Sequence, residues 1–336
     1  MSTLPTPVPE AKQQERAKPE RRWLKLGLRA AVTALIFAIL LRSVSWPMLI
    51  STLIQAQRAW LMMGLAIGVL CVVFSSYVWY SLVRAEGIRG DLARLINLYL
   101  VGMAFSHLLP SSVGGDVAKA YYVGRESGNV AGAASSVMLS RVTGFLGMLL
   151  IALPSLVIWH SYFTPGIVLG FLGSSLLLLL LVGGALLWAG HLPTLARRIL
   201  PEKWAAHRLV TTIQEIGQAL NKTARQPRVL CQAIGFALLF WLASFLNYYG
   251  YAAAIGIHVP LHCYVIAISF TALVAFLPIS INGFGIREGA LVFVFSTMHV
   301  PRELSLLLAF LMDIQVLFFG LIGTCIYLFS RAARKG

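Results

Sequence analysis

The chain has 336 residues, 58% of them hydrophobic and only 12% charged, with a mean hydropathy of +0.80. A soluble domain carries roughly 25% charged residues, and a transmembrane β-barrel would show short alternating segments instead of long apolar runs. The class that remains is a polytopic α-helical membrane protein. The formal net charge of +15 would suit a nucleic-acid partner, but the placement of the cations along the chain argues otherwise. Cys71, Cys231, Cys263 and Cys325 show no paired spacing, so neither a disulfide framework nor a zinc site is expected.

Residues 1–20 hold Pro5, Pro7, Pro9 and Pro19 among polar groups and read as a disordered cytoplasmic tail, not a cleaved signal peptide. Arg21, Arg22, Lys25 and Arg29 lead into a first span at residues 23–41; an apolar run of about 20 residues crosses a ~30 Å hydrocarbon core. A loop with Arg42, Trp46, Pro47 and Arg58 precedes a second span at 60–83, which is followed by Arg84, Arg89 and Arg94. The run at 95–109 is too short to span comfortably and ends in a break, Ser106–Asp116. Further spans are expected at 131–159, holding the single charge Arg141, and at 166–189. Residues 191–228 are basic, with Trp204, Leu209, Ile213, Ile216 and Leu220 at helical spacing, and predict an amphipathic helix on the membrane surface. A span at 229–255, a short run at 263–276, a second break, another short run at 290–298 and a last span at 304–329 with Asp313 complete the core. Residues 331–336 form a basic cytoplasmic C-terminus.

With the N-terminus inside, the positive-inside rule puts 22 of the 27 Lys and Arg in the cytoplasm. Arg42, Arg58 and Arg302 lie outside, and Arg141 and Arg287 fall within the membrane region. The basic excess is therefore topological, with attraction to anionic lipid as a secondary effect, and no nucleic acid is expected as a partner. Residues 84–94 and 119–125 both belong inside, so the segment at about 95–125 enters and returns from the cytoplasm. The segment at about 262–300 does the same from the outside. The expected fold is an all-α polytopic membrane protein of about six full transmembrane helices plus two oppositely oriented re-entrant helical hairpins, within a single domain at 21–330. Asp116 precedes Arg141, and Glu288 precedes Asp313, by the same 25 positions. With the topology, that spacing suggests an inverted repeat of the kind transporters use.

In lipid an unpaired backbone group costs several kcal/mol, so the two breaks must be buried in protein or line a wet cavity. Helix N-termini at the hairpin tips offer N–H groups and partial positive charge to phosphate. Gly114, Gly115, Gly283 and Gly285 let the backbone approach a headgroup closely, and Arg141 and Arg287 can hold phosphate bidentately. Asp116, Glu288 and Asp313 can balance those arginines, bind an amino headgroup or carry a proton. The candidate substrate-binding set is Ser111, Ser112, Gly114, Gly115, Asp116, Lys119, Arg141, Asn282, Gly283, Gly285, Arg287, Glu288 and Asp313. Plainer roles stand beside each: glycines as tight turns, Arg141–Asp116 or Arg287–Asp313 as structural ion pairs, and the serines as caps of half-helices. Buried intramembrane charges default to function because they are costly.

Three segments, Leu109-Pro110-Ser111-Ser112-Val113-Gly114-Gly115-Asp116, Ser140-Arg141, and Leu277-Pro278-Ile279-Ser280-Ile281-Asn282-Gly283-Phe284-Gly285-Ile286-Arg287-Glu288-Gly289, carry a resemblance. The chain resembles the lysylphosphatidylglycerol synthase transmembrane-region family, the flippase-like domain of the multiple peptide resistance factors, which also occurs free-standing. The resemblance covers nearly all of the chain after the tail. It implies two re-entrant hairpins, movement of lipids or lipid-linked headgroups between leaflets, and residence in a bacterial cytoplasmic (inner) membrane. The sequence departs from the fused members in lacking a soluble synthase domain, so the headgroup need not be lysylated.

The expected function is translocation of a polar-headed, anionic lipid or lipid-linked saccharide through a central polar cavity, with no enzymatic activity, cofactor or metal. The expected partners are an anionic phospholipid or a polyprenyl-phosphate-linked sugar, with a lipid synthase, a glycosyltransferase or a second copy of the chain also open. A non-transporting partner of such an enzyme is the alternative reading, and a lipid-phosphate enzyme is a weaker one. His107, Ser111 and Asp116 lack a nucleophile elbow, and Pro260 between His258 and His262 disrupts helical ligand geometry. No Gly-x-x-x-x-Gly-Lys-Ser/Thr loop is present for ATP. Coupling to protons or ions would run through Asp116, Glu288 or Asp313.

Overall fold

A computed structural model describes residues 45–108, 113–199, 208–275 and 283–332. Among the described residues there are eleven α-helices and no strand. They are α1 Trp46–Gln55, α2 Arg58–Ala85, α3 Leu92–Leu108, α4 Gly114–Ser127, α5 Val130–Trp159, α6 Pro165–Ile199, α7 Arg208–Ala224, α8 Pro227–Ala254, α9 Leu261–Ala275, α10 Ile286–Ser296 and α11 Arg302–Ala332, with a 3-10 turn at His160–Tyr162. Helices α2, α5, α6, α8 and α11 are long and apolar enough to cross a membrane, whereas α3 and α9 are shorter apolar helices. The chain is a multi-pass membrane protein. Leucines such as Leu176, Leu177, Leu180 and Leu181 on α6 stay exposed, which costs nothing against lipid tails as apolar as leucine itself. The expected span at 23–41 and the centres of both breaks, 109–112 and 276–282, lie outside the described residues.

Two boundaries differ from expectation. Residues 46–55, expected as loop, form α1: a proline sits in its first turn, where a missing N–H is harmless. Leu49 of this helix is buried while Trp46, Ile50, Leu53 and Ile54 are exposed. The stretch expected to be amphipathic from residue 191 is also divided. Helix α6 continues to Ile199, and only α7 is separate. The apolar face of α7 packs on protein as well, since Leu220 joins Val78, Leu82, Leu139, Ala233 and Ala237 in one buried cluster.

Helices α2 and α8 form the central antiparallel pair. Tyr77 stacks on Phe236 at 4.9 Å and Trp60 meets Tyr249 edge-on at 6.0 Å, so the chain directions oppose. Asn247 Nδ2 on α8 donates to the Gly64 carbonyl on α2 at 3.1 Å. Around this pair the neighbours are reciprocal. Helix α3 packs on α11 and α9 packs on α5, while α4 lies on α5 and α10 lies on α11. Close approach of α3 and α11 depends on Gly320 and Gly323, which sit against Ala104 and Leu100; without a hydrophobic driving force in lipid, such small residues let dispersion hold helices together.

Helices α3 and α4 form an antiparallel hairpin. At its base Arg94 and Glu126 are ion-paired. Nearer the tip, a methyl group on Gly115 would collide with the Gly102 carbonyl oxygen and Ser106 Oγ. Gly115 is therefore there to let the two arms touch. At the start of α10, Gly283 and Gly285 have φ of 76° and 81°, a region that other residues enter only with strain.

Candidate functional site

Each hairpin delivers a charged cluster to the span that follows it. In the first, Asp116 lies in the opening turn of α4, where the helix dipole favours a carboxylate. Its side chain is only 9% exposed. Asp116 Oδ1 receives Lys119 Nζ at 2.8 Å and Oδ2 receives Arg141 Nε of α5 at 2.6 Å. Lys119 is as buried as the acid, and its ammonium stands 5.4 Å from the centre of the Trp79 ring and 5.0 Å from that of Tyr99. Both rings offer a cation–π surface. The cation is thus held from three sides. Arg141 differs: half of its side chain is exposed, and its terminal nitrogens have no partner among the described residues.

In the second cluster the charges are inverted. Arg287, in the first turn of α10, meets Glu288 at 3.2 Å and Asp313 of α11. Glu288 is fully buried, and its other oxygen accepts the Gly285 backbone N–H. The acid therefore caps its own helix, in the manner of half a capping box. Two acids serve one base here, where the first cluster has two bases on one acid. The formal charges are minus one and plus one respectively.

Each cluster has a neighbour on the central pair: Trp79 of α2 faces Lys119 at 5.4 Å, and Tyr248 of α8 lies near Arg287 and Glu288. Tyr99 lies within electrostatic reach of Arg141, Asp116 and Cys71, and Tyr248 within reach of Arg287, Glu288 and Cys71. Ser75 Oγ donates to the Tyr99 hydroxyl at 2.8 Å, and Trp79 Nε1 donates to Ser136 at 3.2 Å, which fixes the aromatic wall around Lys119.

The profile of the lysylphosphatidylglycerol synthase TM region matches residues 26–323. The chain belongs to this family. Searches of curated proteins and of solved structures return no match. As a lysylphosphatidylglycerol synthase TM region, the chain is a membrane domain of a type associated with lipid synthases and flippase-like proteins.

Of the expected site residues, the fold brings Asp116, Lys119 and Arg141 together, and separately Arg287, Glu288 and Asp313. Gly114 and Gly115 are buried in the first turn of α4, and Gly283 and Gly285 are buried in the turn before α10. Ser111, Ser112 and Asn282 lie outside the described residues. Among the buried polar residues missed by sequence reasoning are Glu86, Asn247 and Gln315. Asn247 and Gln315 carried a usable signal, an isolated amide within an apolar span. Glu86 carried none, because its Oε1 accepts hydroxyls from Ser135 at 2.8 Å and from Thr223, 137 positions away, at 2.7 Å.

Proposed function

We propose that the chain moves a polar-headed, anionic lipid or lipid-linked saccharide between leaflets. One observation carries the reading. Arg141 sits inside a span, is fixed through Nε to Asp116, and keeps half of its side chain exposed. A guanidinium oriented by one acid and open on its far side is a preorganised phosphate ligand, and charges placed within the membrane default to function. Asp116, Lys119 and Arg141 together leave one positive charge for the phosphate to neutralise. Arg287, Glu288, Asp313, Gly283 and Gly285, with Ser111, Ser112 and Asn282 of the two motifs, complete the polar path by which the headgroup crosses while the acyl or prenyl tails stay in lipid.

The reading has α3–α4 and α9–α10 as oppositely oriented re-entrant hairpins of an inverted repeat, with both termini cytoplasmic in a bacterial inner membrane. The reciprocal packing of α3 on α11 and α9 on α5 about the antiparallel α2–α8 pair supports it, as does the ion pair that closes the base of the first hairpin. The protein acts as a translocator and not as an enzyme.

The experiment is reconstitution of the full chain into vesicles with fluorescent phosphatidylglycerol or a fluorescent polyprenyl-phosphate sugar. Protein-dependent exposure of the inner-leaflet label supports translocation. A rate equal to that of protein-free vesicles for both lipids overturns it in favour of a non-transporting partner of a synthase or glycosyltransferase.

A further inference from the structure

The turn between α2 and α3, residues 86–91, is clamped by its neighbours. Glu86 Oε1 accepts hydroxyls from Ser135 at 2.8 Å and Thr223 at 2.7 Å, and its carbonyl receives Asn129 Nδ2 at 3.4 Å. Ile88 is buried in one cluster with Trp79, Val83, Leu95 and Val123. Gly87, with φ of 76°, takes the left-handed step that ends α2. A turn held in this way keeps one shape, so what it presents outward is preorganised.

It presents a basic cavity of about 560 Å3, lined by Arg84, Gly87, Ile88, Arg89, Gly90 and Asp91. Ligand pockets commonly measure roughly 300–1,000 Å3. Arg84 and Arg89 are exposed, and neither forms an ion pair among the described residues. Other arginines at this end are engaged: Arg94 pairs with Glu126, and Arg125 donates to the Tyr121 hydroxyl at 3.2 Å. The Arg84 guanidinium carbon stands 5.9 Å from the centre of the Tyr80 ring. That attraction uses the charge of the cation and not its hydrogen-bond donors. With Asp91 counted, the lining carries one net positive charge.

Position selects the ligand. Helix α2 has 28 residues, which makes it about 42 Å long, against roughly 40–45 Å for a bilayer with its headgroup layers. The turn that follows α2 therefore lies at headgroup depth. Tyr80, one turn deeper, is where interfacial aromatic residues belong. Basic pockets beside transmembrane helices take phosphate headgroups.

We propose that Arg84 and Arg89 hold the phosphate of an anionic lipid headgroup at the α2–α3 turn, with Asp91 accepting a hydroxyl or amine of the same headgroup. The lining holds none of Asp116, Lys119 and Arg141. This is a second lipid site, and it does not rest on translocation. Occupancy ties the start of α3, the first arm of its hairpin, to the lipid surface.

The test places the full chain in phosphatidylcholine vesicles containing phosphatidylglycerol with a photoreactive headgroup, and maps the adducts by peptide. An adduct within residues 84–91 is expected. It should fall at least about tenfold in Arg84→Gln/Arg89→Gln, since two charged hydrogen bonds are lost. It should be unchanged in Arg228→Gln, an exposed arginine outside the cavity. The double variant replaces exposed side chains, so its unfolding midpoint should match that of the natural chain. A parallel arm offers photoreactive glycerol phosphate, without acyl chains, to the chain in detergent. Labelling by the lipid and not by the soluble phosphate supports the proposal. Labelling by the soluble phosphate as strong as by the lipid overturns the lipid assignment. Absence of label from residues 84–91 overturns the proposal, as does equal loss in Arg84→Gln/Arg89→Gln and Arg228→Gln, the mark of diffuse surface charge. The same adduct is expected in Arg141→Ala, which separates this site from the translocation reading.

Discussion

Arg141 and Arg287 are engaged in opposite senses. Arg141 gives only its Nε to Asp116, and half of its side chain is exposed. Arg287 gives Nε and a terminal nitrogen to Glu288, and the same terminal nitrogen to Asp313, with 28% of its side chain exposed. The two arginines thus have different roles: Arg141 has spare donors, and Arg287 is the counter-charge that two buried acids require.

Arg287→Ala is therefore expected to damage the fold. It leaves Glu288 and Asp313 buried without a cation, a loss of about 3–5 kcal/mol for a broken buried pair. Pairing it with Asp313→Asn removes one of the stranded charges and should recover part of the loss. Thermal unfolding of the two single variants and the double variant in detergent gives the coupling directly; additive effects would dissociate Arg287 from Asp313.

Gly115→Val should separate the arms of the first hairpin. Its side chain would meet the Gly102 carbonyl, a backbone atom that cannot rotate away, and overpacking of this kind costs about 1–3 kcal/mol. Gly144→Ala is the control: nothing lies within 4 Å of the added methyl group, and replacing a helical glycine gains about 0.4–1 kcal/mol. The order of unfolding midpoints should be Gly144→Ala above the natural chain and Gly115→Val below it.

Much of this organisation was legible in the sequence. Long apolar runs locate the spans because lipid demands length, and lone charges such as Arg141 and Asp313 stand out because lipid makes them costly. The Asp116–Arg141 and Arg287–Asp313 pairings were among the plain readings of those charges, and both are present. The short helix α1 was hidden because Trp46 and Pro47 look like the start of a loop, and the continuation of α6 to Ile199 because its last turns are basic. Contacts made by exchange between distant helices, such as α3 with α11 or Glu86 with Thr223, leave no local period to read.

Glu86 ties the turn after α2 to α5 and α7 through its bonds with Ser135 and Thr223. Glu86→Ala leaves two buried hydroxyls without their acceptor, at about 1–3 kcal/mol each. The end of α7 should then open, and tryptic cleavage at Lys222 and Arg225 in the otherwise folded protein should accelerate. Unchanged cleavage would show that α7 is held by Leu220 and its neighbours alone.

The topology is testable by labelling. In a cysteine-free background, single cysteines at Arg94 and Arg125, at the base of the first hairpin, should react with an impermeant maleimide from the cytoplasmic side only. Cysteines at His258 and Arg302, flanking the second hairpin, should react from the opposite side only. Residues of one hairpin base reacting from different sides would replace the re-entrant reading with a full crossing.

The most direct measurement compares the natural chain, Arg141→Lys and Arg141→Ala in vesicles holding fluorescent phosphatidylglycerol. A hydrogen bond to a charged group is worth about 1.5–3 kcal/mol, so Arg141→Ala should slow translocation by roughly tenfold or more, since about 1.4 kcal/mol is a factor of ten. Arg141→Lys, which keeps the charge and loses the fork, should fall between. Asp116 retains Lys119 in both variants, so their unfolding midpoints should stay near that of the natural chain. Translocation by folded Arg141→Ala at the natural rate would contradict the account.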